Sequence, residues 1–285
     1  MINFKNSEFF YDPYPYVIIK NIFEKEIYDE LKKEFPDSNE EKFNTSGNSK
    51  KKDMGKFNKF QIDNFKSKNF NNVIKNRKTL KLIYNFFKSE KFINIIDEFL
   101  ISNHVNIKLI KKQNYWQSFF KKNFNIYFEL SSIPCDGGFI APHTDAPRKI
   151  ITCVMPIVDK EEISNLKGVG TSMLEATNIK YKYNFLNQTV PLSDTKEIKY
   201  IDFLPNQMLM FIKTYNSLHS VGPIKSTNLT NLTFSQSNLP GEIPPEIGNL
   251  TTLVSLELNG NNLTGEIPLE LGNLTTLVSL ELNGN

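Results

Sequence analysis

The chain has 285 residues, 39% hydrophobic and 12% aromatic, enough to bury one large core or two modest ones. No apolar run approaches the length of about eighteen residues that a membrane-spanning helix needs. The start, "MINFKNSEFFYDPYPYVIIKN", lacks a basic segment followed by an apolar one, so no secretory signal is read and a cytoplasmic location is expected. The formal charge of +3 hides a split: the first 225 residues carry 34 bases against 25 acids, and the 60 residues after Lys225 carry six glutamates and no base. Such asymmetry points to two modules of different origin. Cys135 and Cys153 are too few for a disulfide framework and are read as free thiols packed as small core residues.

In chain order, "YVIIKN" (16–21) reads as a short apolar strand. In "IFEKEIYDELKKEF" (22–35), Ile22, Phe23, Ile27, Leu31 and Phe35 recur at helical spacing, and Pro36 closes the helix. Residues 38–78 are rich in Asn, Lys and Ser, with "NSKKKDMGKFNKF" at their centre, and read as a long mobile surface loop. Its lysines are taken as a solvated face; a basic lid over an anionic substrate is the weaker alternative. Residues 79–102 carry one or two amphipathic helices. From about residue 105 the period changes to two. "FNIYFELSSI", "KIITCVMPI", "GTSMLEA", "IKYIDFL", "MLMFI" and "LTNLTFSQ" are short β-like runs separated by Gly, Pro, Asn and Asp. Helices followed by many strands predict an α+β domain built on an antiparallel sandwich or barrel.

The tail is different. "GEIPPEIGNLTTLVSLELNGN" (241–261) is followed by "GEIPLELGNLTTLVSLELNGN" (265–285), a period of 24 with an identical 14-residue block. This is the leucine-rich repeat pattern, with a strand of inward leucines, a buried Asn ladder and a turn at "TGEIP". It resembles the plant-type repeats of receptor ectodomains. Two domains are expected, 1–236 and 237–285, the second a short solenoid whose strand face binds a protein partner. "NLTNLTFSQSNLPGEIP" (228–244) reads either as the last strand of the first domain or as a degenerate first repeat.

Only three histidines occur, His104, His143 and His219. In "GGFIAPHTDAPRKIITCVMPI" (137–157), His143 and Asp145 are two residues apart, so in an extended segment they share a face and can grip one metal ion. His219, in "PNQMLMFIKTYNSLHSVGPI" (205–224), is the candidate third ligand. Two imidazoles and one carboxylate leave open positions, the donor set of non-haem Fe(II) oxygenases, and no thiolate set competes for zinc. The bland reading of His-x-Asp is a turn histidine bonded to a nearby carboxylate. His104 is assigned a structural role.

These motifs, with "GVGTSMLEA" and "PYPYVIIKNIFEKEIYDELKKEFPD", resemble the Fe(II)/2-oxoglutarate-dependent oxygenase superfamily, closest to its prolyl-4-hydroxylase-like group, over about residues 10–236. The resemblance implies a double-stranded β-helix (jelly-roll) core with N-terminal helices, and His143, Asp145 and His219 as iron ligands. It also implies 2-oxoglutarate as co-substrate, ascorbate as an accessory reductant, and hydroxylation of a peptidyl or small-molecule substrate with release of succinate and CO2. The family further implies a cation for the far carboxylate of 2-oxoglutarate, usually an Arg about ten residues beyond the distal His. Here that window holds Leu229 and Asn231, and no Arg follows Arg148. Lys225 is the cation candidate, with Tyr127, Thr227 and Thr230 as hydroxyl candidates. The rival reading is a catalytically degenerate jelly-roll scaffold that works as an interaction module through its repeats. A cupin-like sugar isomerase would want more histidines at the metal. No recognition motif accompanies the lysines, which argues against nucleic acid.

Overall fold

The computed structural model describes residues 4–36, 44–46, 59–106, 125–135, 137–226 and 230–285. The lysine run at 50–52, Thr227 and Leu229 lie outside them. The chain divides into two compact units, Met1–Lys225 and Ser226–Asn285.

In the first unit, β1 (Ser7–Phe10) and β2 (Tyr16–Lys20) form an antiparallel pair, followed by α1 (Lys25–Glu34). The helix starts three residues later than the apolar spacing suggests. Ile22 and Phe23 precede it, tied to Asn206 through its carbonyl (3.1 Å) and its Oδ1 (2.9 Å). The expected loop at 38–78 is corrected over its described part. It contains β3 (Asn44–Ser46), β4 (Lys59–Asp63) and α2 (Phe70–Lys75), and β4 pairs with both β3 and β5 (Glu129–Ser132). The composition is polar, but Ile62 is buried and Phe70, Val73 and Ile74 recur at helical spacing and bury one face. α3 (Lys78–Phe87) and α4 (Glu90–Ser102) are two helices because Ser89 breaks the run; its hydroxyl caps α4 by accepting from the Phe92 amide at 3.2 Å.

Two four-stranded sheets form the rest of this unit. β6 (Ile140–His143), β7 (Ile151–Val154), β9 (Gly170–Ala176), β10 (Thr195–Asp202), β11 (Gln207–Ile212) and β12 (Leu218–Val221) supply them together with β1 and β2; α5 (Lys160–Ile163) and β8 (Leu166–Lys167) interrupt the series. The strand orders are β1-β2-β11-β7 and β10-β9-β12-β6, with antiparallel neighbours. The unbroken apolar run of β11 reflects burial on both faces. Met208, Met210 and Ile212 join the core with Leu80, Ile83, Phe92 and Leu100 of the helices. Leu209 and Phe211 point the other way, to Tyr14, Tyr16, Met173 and Ile201. Each such side chain contributes roughly 1.5–3 kcal/mol by leaving water. Together these elements are a mixed α+β architecture. Among the described residues no helix is long and apolar enough to cross a membrane.

The second unit is parallel. β14 (Asn231–Thr233), β16 (Ser255–Glu257) and β18 (Ser279–Glu281) pair in 24-residue register, Asn231 to Ser255 to Ser279. β13 (Lys225–Ser226) precedes them, and β15 (Pro240–Glu242) pairs with β17 (Asn262–Thr264). Leu253, Leu256, Leu258, Leu271 and Leu274 form the core. Buried Asn261 accepts from the amides of Ser237 (2.9 Å) and Leu239 (3.1 Å) and donates to the carbonyls of Phe234 (2.6 Å) and Leu258 (2.8 Å). The described part of the 228–244 segment, from Thr230 on, therefore takes the place of a first, degenerate repeat, with β14 in register with β16. For this reason the second unit begins at Ser226, eleven residues before the boundary drawn from the repeat motif.

Candidate metal centre

His143 ends β6 and His219 lies on β12, and the two are directly paired across antiparallel strands. Their ring centroids are 4.4 Å apart. Glycines set this register. The Gly137 amide donates to the Ile224 carbonyl (2.9 Å), and the Gly138 carbonyl accepts from the Ile224 amide (2.8 Å). A Cβ on Gly138 would lie 2.2 Å from the Pro134 carbonyl oxygen, so no side chain fits there.

Asp145 reaches the histidines by a route the alternation argument does not foresee. It is not on the strand: its φ of 68° is left-handed, a conformation Asp tolerates better than most residues. The turn swings the carboxylate back, with Oδ1 3.6 Å from His143 Nε2 and Oδ2 3.9 Å from His219 Nε2. Both distances exceed a hydrogen bond. Metal bonds of about 2.1 Å place donors around one ion up to about 4.2 Å apart, so each histidine taken with its nearer carboxylate oxygen is within that reach. One ligand atom from each of the three residues lies within 4.8 Å of the others.

The imidazoles are oriented for this. His143 Nδ1 bonds the Ala141 carbonyl (2.9 Å) and His219 Nδ1 the Ser217 carbonyl (3.0 Å). A carbonyl only accepts, so each Nδ1 carries the proton and each Nε2 lone pair faces Asp145. Burial pushes His219 down to about 3, with His143 adding to the effect, so it is neutral at physiological pH. Burial works against the charge of Asp145, yet His143, His219 and Lys149 outweigh it and hold the carboxyl well below the usual carboxylate range. Because His219 is uncharged at neutral pH, Lys149 and not His219 supplies lasting positive charge beside the carboxylate. Its ammonium donates to Oδ1 at 2.6 Å, and Thr152 on β7 donates to Oδ2 at 2.6 Å. Asp145 is 4% and His219 7% exposed. These three buried or half-buried side chains, two imidazoles and one carboxylate, form a group that could hold a divalent metal ion.

Falling pH is expected to destabilise the metal-free protein. Unfolded His219 takes up its proton near 6.5, whereas the folded residue waits until about 3, so stability falls as pH drops between these values. Asp145 adds a loss below about pH 4, where the unfolded carboxylate protonates first. The slope approaches about 1.4 kcal/mol per pH unit for each group. Urea titrations with chelator at about pH 7, 5.5 and 4.5 measure it. A slope left unchanged in His219→Gln would show that this residue is not its source.

The other expected site residues lie elsewhere. Lys225 is exposed on β13, the strand paired with β8. Tyr127 stacks on Phe65 (centroids 5.8 Å apart) and donates to Glu129 (3.2 Å), with Asp63 also nearby, and this acidic setting repels a second carboxylate. Thr230 belongs to the second unit, where its carbonyl accepts from Val254 (2.7 Å) and Ser255 (3.0 Å). His104 is exposed in a left-handed turn after α4, apart from the candidate ligand group. Cys135 and Cys153 are free but exposed, not core residues. β7 is the last strand of its sheet, so Cys153 has a strand neighbour, Met210, on one side only. Nearby protein still pushes its thiol up to about 12, but the open surface decides its access to reagents.

Besides Lys149 and Thr152, sequence reasoning missed Lys213. It follows β11 directly, is only 8% exposed, and donates to Thr144 Oγ1 (2.9 Å) and the Thr214 carbonyl (3.1 Å). Thr144 stands in sequence between the candidate ligands His143 and Asp145, and its hydroxyl donates a hydrogen bond to the Asn184 carbonyl. The available signal was a lysine closing the five-residue apolar run Met208–Ile212. Compared with known proteins, the chain matches no family model and no curated protein sequence.

Proposed function

We propose that the first unit is an Fe(II)- and 2-oxoglutarate-dependent dioxygenase with a jelly-roll core, hydroxylating a peptidyl or small-molecule substrate. The observation that carries this reading is the cross-strand pair His143–His219 with Asp145 turned back between them, each Nε2 facing the carboxylate. The order of the two packed sheets supports the jelly roll. Two imidazoles and one carboxylate on one side of an ion leave adjacent positions open for ligands.

A bound iron supplies the oxygen chemistry. His143 and His219 would hold it through Nε2, because their Nδ1 atoms are tied to the Ala141 and Ser217 carbonyls, which stops the rings from rotating. Asp145 would offer its carboxylate to the ion, with Lys149 on Oδ1 and Thr152 on Oδ2 fixing its orientation. Phe211, with its ring 4.5 Å from that of His219, and Tyr14, whose hydroxyl donates to the Leu218 carbonyl (3.2 Å), form an apolar wall that keeps bulk water from the His219 side.

Anaerobic titration tests the reading. Fe(II) is expected to bind one per chain, and added 2-oxoglutarate to produce a visible metal-to-ligand absorption. His143→Ala is expected to abolish both, and air to release succinate. A second reading rests on the in-register parallel strands of the second unit, which suit a protein-binding surface. Iron binding with no response to any 2-oxo acid would favour that scaffold reading over catalysis.

A further inference from the structure

We infer that the loop joining β9 to β10 and the turn after β11 form a docking platform beside this centre, and that it takes an acidic peptide segment carrying apolar side chains. The inference rests on the oxygenase reading and names the class of its substrate.

The platform is pinned to the ligand segment. The Val190 amide donates to the carbonyl of Pro142, the residue before His143, at 2.9 Å. Thr144, between His143 and Asp145 in sequence, donates to the Asn184 carbonyl and accepts from the Lys213 ammonium at 2.9 Å. Asn184 is itself fixed: it is buried, and its carboxamide bonds the Gln188 backbone in both directions, at 2.6 and 2.7 Å. The loop and the turn are therefore both tied to the residue that separates two candidate ligands.

What they display is apolar and open. Tyr183 is 68%, Leu186 72% and Tyr215 49% exposed, and Phe185 is exposed beside them. The patch runs from one segment to the other. The Tyr183 and Tyr215 rings lie 5.2 Å apart, and the Lys213 ammonium sits 5.6 Å from the centroid of Phe185. Exposed apolar side chains gathered in this way mark an interaction surface, and tyrosine is among its usual anchors.

Charge selects the partner. Residues 177–193 hold Lys180 and Lys182 and no acid, and among the described residues neither lysine is in an ion pair. Arg148, three residues past Asp145, is exposed as well. Asp145 is buried and already bonded to Lys149 and Thr152, so its charge is taken. Such a surface attracts negative charge. A nucleic acid is anionic too, but its bases gain by stacking on free aromatic faces. Here Tyr183 and Tyr215 already lean on one another, and the aliphatic Leu186 is the most exposed of the four. Leucine gains by burial against apolar side chains, which a peptide supplies.

The test uses the full chain and fluorescent polymers, with binding followed by anisotropy in the presence of chelator, so that no metal contributes. The probes are a glutamate–tyrosine copolymer, polyglutamate, a lysine–tyrosine copolymer and oligothymidylate. The first is expected to bind at least about tenfold more tightly than each of the others. Tyr183→Ala and Tyr215→Ala, both at exposed positions, should each weaken it about tenfold and leave Fe(II) binding as in wild type. Added to the anaerobic wild type loaded with Fe(II) and 2-oxoglutarate, the copolymer should shift the metal-to-ligand absorption, which reports that it docks beside the centre. Equal or tighter binding of polyglutamate or oligothymidylate overturns the inference, and so does copolymer binding that is absent, unchanged in both variants or without effect on that absorption. Failure of the absorption to appear at all, before any polymer is added, overturns the oxygenase reading instead.

Discussion

Asp145→Asn is expected to lower Fe(II) affinity by at least about a hundredfold, beyond the range seen when only outer partners of a ligand are changed. Asn has the same shape and tolerates the left-handed φ of 68°, so the turn between β6 and β7 should persist. What is lost is the charge. Lys149, at 2.6 Å, would face a neutral amide, and Thr152 would lose a charged acceptor. The metal-free variant should therefore be destabilised by about 1–3 kcal/mol. The two effects separate cleanly: the first is read by anaerobic iron titration, the second by urea unfolding with chelator. Asp145→Ala should cost more stability than Asn, by about 1–2 kcal/mol, because alanine pays for the left-handed backbone. Iron binding by the Asn variant at wild-type affinity would remove Asp145 from the ligand set.

The second large effect belongs to the repeats. Asn261→Leu should unravel the start of the second unit, with a loss of about 3–5 kcal/mol. One side chain there satisfies two amides and two carbonyls, and leucine satisfies none. A unit of this size has little stability to spare. Hydrogen exchange should show lost protection at Asn231–Thr233 and Ser255–Glu257, with iron binding by the first unit as internal control. Unchanged protection at those strands would mean that the leucine core alone holds the repeats together.

Legibility in the sequence followed the range of the interaction. The α+β order and the 24-residue period rest on local pattern, and local pattern announced them. His143, Asp145 and His219 were legible because histidine is rare here and two of three fell beside strand-like runs. Their geometry was not. The spacing suggested a shared strand face, while the chain uses a left-handed turn at Asp145, which no hydrophobic pattern records. Lys213 meets the site through sheet pairing, a long-range event invisible in a window of ten residues, whereas Thr152 lies only seven residues from Asp145 but reaches it through the turn between β6 and β7. Lys225 drew attention by its closeness to His219 in sequence, but β12 runs from His219 away towards Val221 and carries the following residues off with it. β4 and α2 were hidden by surrounding Asn and Lys, although Ile62, Phe70, Val73 and Ile74 were spaced for burial.

The charge split has a practical consequence. The first unit ends at Lys225, which is exposed and is also the last basic residue of the chain. Trypsin can therefore cut at the boundary but nowhere beyond it, whether the repeats are folded or not. Tryptic resistance measures the first unit alone, and so does any amine-reactive label. The 60 residues from Ser226 to Asn285 leave such a digest as one acidic peptide. A glutamate-directed protease, with six sites in that stretch, is the reagent that reports on the repeats.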